Sequence, residues 1–198
     1  MNVSLPNWSV AMNSRLLSLA LVAASVSPLA VQAQQAIVPA QSEVSFTSRQ
    51  MGVPVDGKFK SFSAQVAFDP AKLATSKIEF SVDTGSASIS READAELPKA
   101  VWFNVAQFPK ATFTSSSIRK LDATKYEVAG KLAIKGVSSD VVVPVTLAQN
   151  GATTVASGAF PIKRLSFRIG EKEWADTSMV ADEVQVKFKI ALTGVPKL

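Results

Sequence analysis

Three carboxylates at alternate positions, Glu92, Asp94 and Glu96, with Arg91 beside them, form the densest cluster of chemistry-bearing side chains in this 198-residue chain. Paired carboxylates do general acid–base work when a cleft splits their pKa values. These lie in Ser88–Lys99, where Ile89, Ala93 and Leu97 recur every fourth residue. That spacing predicts a short amphipathic helix that stops near Pro98. Residues two apart on a helix do not face one another, so the acidic set reads as a solvated helix face. The sequence holds no Cys and no His. Disulfides, thiolate nucleophiles, His bases and His-containing triads are thereby excluded. The usual ligands of zinc, copper and iron are missing too, which leaves only oxygen-ligand sites, and no EF-hand loop pattern occurs. There is no G-x-S-x-G nucleophile motif and no phosphate-binding glycine loop. The expectation is a protein that is not an enzyme and holds no metal.

The elements that would carry any site are strands. Val184, Val186, Phe188, Ile190 and Leu192 alternate with Gln185, Lys187, Lys189 and Ala191. A period of two puts the apolar set on one face and the lysines on the other. Tyr126, Val128, Gly130, Leu132 and Ile134 repeat the pattern, as do Val141, Val143, Val145 and Leu147. Shorter runs are Val44 and Phe46; Ala64, Val66 and Phe68; and Ile78, Phe80 and Val82. Ala111–Ile118 and Thr153–Ile162 complete the set. Pro144 lacks an N–H and predicts a bulge or a local edge in its strand. Asp69-Pro70, Lys135-Gly136 and Asn150-Gly151 read as turns. Arg49–Val55 reads as a loop, either plain or an apolar rim for docking. Ile162–Ile169 reads as a helical turn or an irregular crossing. The sum is an all-β, single-domain fold: an antiparallel barrel or sandwich of about eight strands with one or two short helices.

A barrel of that size either fills with its own side chains or holds one small ligand. Small residues on faces expected to point inward (Ala64, Gly130, Ser157, Ala159) leave room. Large neighbours (Phe62, Phe68, Phe113, Phe188) are able to fill it. Patterning alone leaves both open.

Residues 1–33 read as a cleavable signal peptide. Arg15 is followed by an apolar or small run from Leu16 to Val31, and Val31-Gln32-Ala33 places small residues three and one before a cut at Gln34. The run is short for a membrane span and contains Pro28. An uncleaved anchor is the alternative. Met12 begins a more usual n-region than Met1. Residues 34–198 are then a periplasmic domain without a transmembrane segment. The net charge of +5 is spread one or two lysines per strand, which argues against nucleic acid and is compatible with weak attraction to an anionic membrane.

Five motifs in order resemble the YceI-like family. They are Gly57-x-Phe59-x-x-Phe62-x-x-x-Val66-x-Phe68-Asp69, then Ile78–Thr84, then Phe108-Pro109-x-Ala111-x-Phe113-x-Ser115. Gly130-x-Leu132-x-Ile134-x-Gly136-Val137 with Val143-Pro144-Val145 follows, and Phe160–Phe167 with Trp174-Ala175-Asp176 precedes the last strand. The resemblance runs from about Ser42 to Leu192. It implies a lipocalin-like, eight-stranded antiparallel barrel whose apolar interior binds a polyisoprenoid chain. It also implies an exported protein, with an association with a cytochrome b561-type membrane protein in some members. Many members carry histidines before the F-P-x-A-x-F motif. Here Ser90–Leu97 has none, so no metal or proton role carries over.

The expected function is therefore binding or carriage of an isoprenoid quinone or polyprenyl lipid. The expected lining is Val44, Phe46, Ala64, Val66, Phe68, Ile78, Phe80, Phe113, Val128, Leu132, Phe160 and Phe188. The alternative is an accessory subunit of a cytochrome b561-type redox system that carries no lipid of its own. The leader reading predicts that protein isolated from cells begins within a residue or two of Gln34. N-terminal sequencing that finds Met1 or Met12 on most of the soluble protein contradicts it.

Overall fold

The computed structural model describes residues 1–2 and 35–198. The leader and its cut after Ala33 lie outside the described residues. The domain from residue 35 onward is all-β, as the alternation requires. Its strands are β1 (Ala36–Ile37), β2 (Glu43–Gln50), β3 (Val53–Phe59), β4 (Phe62–Ala67), β5 (Lys77–Asp83) and β6 (Ala87–Ser88). They continue with β7 (Lys110–Lys120), β8 (Lys125–Ile134), β9 (Val137–Asn150), β10 (Thr153–Lys163) and β11 (Glu183–Thr193). One short helix, α1 (Arg91–Glu96), carries the acidic cluster. All pairings are antiparallel, in the order β4-β5-β7-β8-β9-β10-β11-β2-β3-β6, with β1 added on β11. The sheet curls into a half-barrel with its apolar face inward.

The eight runs read from the alternation are all present, and three strands join them. The largest addition is β3. Arg49–Val55 is not a loop: β2 continues through Gln50, and β3 starts at Val53, paired with it. Only Met51 (φ 47°) and Gly52 (φ 81°) form the turn. Positive φ at both positions is the type I′ geometry that matches the strand twist. Methionine is an unusual residue there, and this hid the hairpin. In the β9–β10 hairpin the turn residues are Gly151 and Ala152, while Asn150 is still strand. Beyond β10, Arg164–Phe167 forms one turn of 3-10 helix, so the irregular stretch starts later than Ile162.

Register aligns the inward face in rows. Ala64, Phe80, Phe113 and Leu132 run across β4, β5, β7 and β8. Gly57, Phe46, Val186 and Phe160 run across β3, β2, β11 and β10. On β10 the inward set is Ala156, Gly158 and Phe160, because Phe160 and Ala156 face the interior space and Ala159 is exposed. The expectation that Ser157 and Ala159 point inward is wrong by one residue, a slip that exchanges the two faces of a strand.

The β4 edge of the curled sheet is secured at both ends of the strand. Along β4 the Gln35 side chain donates to the Phe68 carbonyl (2.6 Å) and accepts from the Phe68 N–H (3.0 Å), while β1 beside it pairs with β11. At the other end the Asp83 N–H donates to Ser61 O and the Lys60 N–H to Ser86 O. Pro144 sits where its missing N–H does least harm. The β9–β10 ladder runs from Asn150–Thr153 to Thr146–Ser157 and ends short of it.

Gly158 lies next to that break, opposite Phe188. A Cβ on Gly158 would stand 2.6 Å from the Phe188 ring and closer still to the Pro144 carbonyl oxygen. The backbone atom has no room to yield. Gly158→Ala is therefore expected to destabilise the domain by about 2 kcal/mol, the usual cost of overpacking. Urea denaturation of the variant beside wild type measures it, and an unchanged midpoint contradicts the close approach.

Candidate functional site

Three interior glycines explain how the aromatic residues are accommodated. Phe46 faces Gly57 and Phe188 faces Gly158 as direct cross-strand partners. The Phe113 ring lies 2.6 Å from where Gly130 would carry a Cβ. In each case the ring lies across the bare backbone of a neighbouring strand. The large residues thus coat the wall instead of reaching the centre. Small and large residues act together, and the interior keeps open space.

That space is two adjacent cavities. The first, about 180 Å3, shows only apolar atoms to its interior. It brings together all of the expected lining residues except Phe46: Val44, Ala64, Val66, Phe68, Ile78, Phe80, Phe113, Val128, Leu132, Phe160 and Phe188. Residues the sequence reading left out include Ile118, Tyr126, Val143, Leu147, Ala156, Val186 and Ile190. Most of these stand on the same apolar faces, so the alternation contained them. Phe46 belongs to the second cavity, of about 260 Å3. Leu132, Phe160 and Val186 line both and form the partition between them.

The second cavity takes about half of its lining from strands and the rest from α1, 3-10 turns and irregular chain. Ala93 of α1, with Ile89 before the helix and Leu97 at its C-cap, supplies an apolar stripe, and Trp102, Phe103, Trp174 and Val180 come from segments without a period. Aromatic rings dominate: Phe46–Phe59 centroids lie 5.4 Å apart, Phe59–Phe103 6.1 Å and Trp102–Trp174 5.4 Å. Ser48, Gln50, Glu96 and Arg164 add polar groups.

Arg164 holds this end together. It is 2% exposed, and its guanidinium donates to five backbone carbonyls. Nε meets Ala181 O at 3.0 Å. Nη1 meets Ile169 O and Gly170 O at 2.9 and 2.7 Å. Nη2 meets Trp174 O and Val180 O at 2.7 and 2.6 Å. Five N–H donors in a fixed fork match five carbonyls, which tie residues 169–181 to the end of β10. Burial lowers the guanidinium pKa and the nearby Asp182 carboxylate offsets part of that.

The acidic cluster on α1 does not converge. Asp94 accepts from the Ile89 N–H and the Ser88 hydroxyl, both at 2.7 Å. The Ile89 bond first and the Ser88 bond second hold its carboxyl below the usual range. Glu92 accepts from Ser90, whose hydroxyl caps the helix, and Glu96 pairs with Lys99 at 2.6 Å. Each carboxylate serves its own local contact. No group of three metal-ligating side chains forms among the described residues.

Two buried polar atoms lack a partner among the described residues: Tyr126 Oη, beside the first cavity, and Trp102 Nε1, beside the second. An orphan of this kind costs about 1–3 kcal/mol. Tyr126 is 2% exposed, with its ring edge-on to Phe68 at 5.5 Å. Tyr126→Phe removes the orphan and keeps the ring. It is expected to match or exceed wild-type stability in thermal or urea melts. A loss above about 1.5 kcal/mol contradicts the absence of a partner.

An all-β half-barrel around an unfilled apolar interior places the chain among lipocalin-like proteins, and comparison with known proteins narrows the class. A model of the YceI-like domain matches residues 36–192. The crystal structure of Burkholderia cenocepacia BcnA is 47% identical in sequence, aligns over 78% of this chain and 98% of its own, and superposes with a TM-score of 0.76. A polyisoprenoid binding domain from Saccharophagus degradans, 14% identical, shares the fold over 81% of this chain and 98% of its own with a TM-score of 0.66. Protein YceI of Salmonella arizonae is 33% identical over 96 residues, 48% of this chain and 50% of that protein. The chain thus spans about half the length of the curated relatives it matches. The protein belongs to the YceI-like family.

Proposed function

We propose that this protein binds a long isoprenoid lipid, a polyprenyl chain or an isoprenoid quinone, with its tail in the interior of the half-barrel, and that it works in the periplasm after removal of residues 1–33. The observation that carries the reading is the unfilled interior: two adjoining cavities of about 180 and 260 Å3, the first without a polar atom facing inward. Protein interiors close to nearly crystalline density, and apolar space left open loses contact energy. A flexible apolar chain restores those contacts. It gains about 25 cal/mol for each Å2 withdrawn from water, with no directional bond needed. The polyisoprenoid binding named for the Saccharophagus domain of the same fold supports the ligand class. The reading assigns the protein no reaction, because the carboxylates of α1 are committed to capping and surface pairing.

Ala64 offers the test. It sits in the row Ala64–Phe80–Phe113 and lines the first cavity. Ala64→Trp adds volume without removing a packed side chain. With an open cavity, the delipidated variant is expected to melt close to wild type. Lipid retained from the native cells, read by extraction and mass spectrometry, is expected to collapse. A solid core predicts the reverse: a loss of about 1–3 kcal/mol or more from overpacking, with no lipid extractable from wild type.

A further inference from the structure

A lipid too apolar for water has to reach the lumen from a membrane. Taking its direction from the lipid-binding reading, we infer that the β2–β3 hairpin tip docks on a phospholipid bilayer. Met51 and Val53 of the tip, with Met179 beside them, enter between the head groups, and the second cavity opens next to them.

Exposure points to the tip first. Between residues 35 and 198, five large apolar side chains stand exposed, and three of them gather here: Met51 at 71%, Val53 at 62% and Met179 at 47%. The Met51 N–H donates to the Met179 carbonyl at 2.9 Å, and Val53 pairs with Gln50. Exposed apolar residues scattered singly need no explanation, but a cluster of them marks a contact surface. Met51 also takes a turn position at φ 47°, a conformation that suits Gly or Asn. Either would serve the turn better, so the thioether side chain serves something outside it.

The tip adjoins the lumen. Gln50 is exposed and also lines the second cavity, as does Val180, which is bridged to it. The second cavity therefore reaches the surface beside Met51 and Met179. The frame beneath is fixed: the Ala181 N–H donates to the Arg49 carbonyl at 2.9 Å, and Arg164 donates to the Val180 and Ala181 carbonyls. The apolar side chains are thus held outward at the mouth.

Area and charge favour a bilayer over a protein. A stable protein interface buries about 800 Å2 on each partner, whereas three side chains offer only of order 300 Å2. A bilayer demands no matching surface: a few apolar side chains with a cation beside them make a reversible contact. Arg49 is that cation, exposed and without an ion-pair partner among the described residues. Asp176 and Asp182, three residues either side of Met179, turn back onto Ser178 and onto the Leu165 N–H.

The test floats delipidated soluble protein with vesicles of phosphatidylcholine and phosphatidylglycerol. Wild type is expected to rise with the vesicles. Met51→Asn with Met179→Ser removes two of the three apolar side chains, and Asn suits the turn, so the melting temperature is expected to hold or rise. Partitioning of this tip variant is expected to fall at least about tenfold. Leu121→Ser with Val142→Ser removes two exposed apolar residues from the β7–β8 turn and the outer face of β9, and is expected to stay within about twofold of wild type. Farnesol binding in solution, by equilibrium dialysis, is expected to be equal in wild type and tip variant. Transfer of a labelled prenyl lipid out of vesicles is expected to slow in the tip variant. Wild type that stays at the bottom, equal flotation of the tip variant, or an equal loss in the control pair overturns the docking. So does a wild-type dimer that the tip variant turns into a monomer in light scattering, because it assigns the tip to a second copy. Flotation that depends on the tip, with no uptake of farnesol, overturns the lipid-binding reading and leaves the docking standing.

Discussion

The interior of this protein depends on rings lying over glycines. Phe46 over Gly57, Phe113 over Gly130 and Phe188 over Gly158 place three of the largest inward side chains flat along the wall. Any side chain at those glycines would push the rings toward the centre or force the strands apart. Glycine in a strand interior weakens it locally, and an aromatic partner on the neighbouring strand compensates by covering the exposed backbone. The arrangement keeps the wall thick and apolar while leaving the lumen open.

The two ends are closed by different means. At the first cavity, regular strands supply the lining, and Gln35 and β1 secure the edge at β4. At the second, the chain leaves the sheet, and one buried arginine gathers five carbonyls that would otherwise be orphaned by the irregular backbone. Backbone groups in such segments need partners as strictly as those in a ladder. Arg164 meets that need with the one side chain whose donors are numerous and rigidly placed. Its saturation also leaves the cavity beside it without a free positive charge.

Much of the wall was legible in the sequence. Alternation with a period of two, as in Tyr126–Ile134 and Val184–Leu192, assigns each residue a face directly, and the first cavity drew its lining from those faces. The errors have physical causes. Thr153–Ile162 is small and weakly patterned, so the sequence offers no strong anchor for its register, and only Phe160 facing inward shows that Ser157 and Ala159 face out. The β3 strand carries no periodic signal, because Pro54, Asp56 and Gly57 interrupt its apolar residues and Met51 occupies a turn position that favours Asn or Gly. Alternation names a face and says nothing of position along the lumen, so it does not show that Phe46 lines the second cavity while the other expected residues line the first. Trp102, Trp174 and Arg164 carry no periodic signal at all. Their roles arise from tertiary contacts between segments distant in sequence.

The central claim is that both cavities form one lumen occupied by a single apolar chain. A crystal structure of the protein purified with its native content, without a delipidation step, tests it most directly. The account predicts one continuous tube of density that passes between Leu132, Phe160 and Val186. A lumen filled by inward-turned phenylalanine rings, or holding only separate waters on either side of a closed partition, would contradict it.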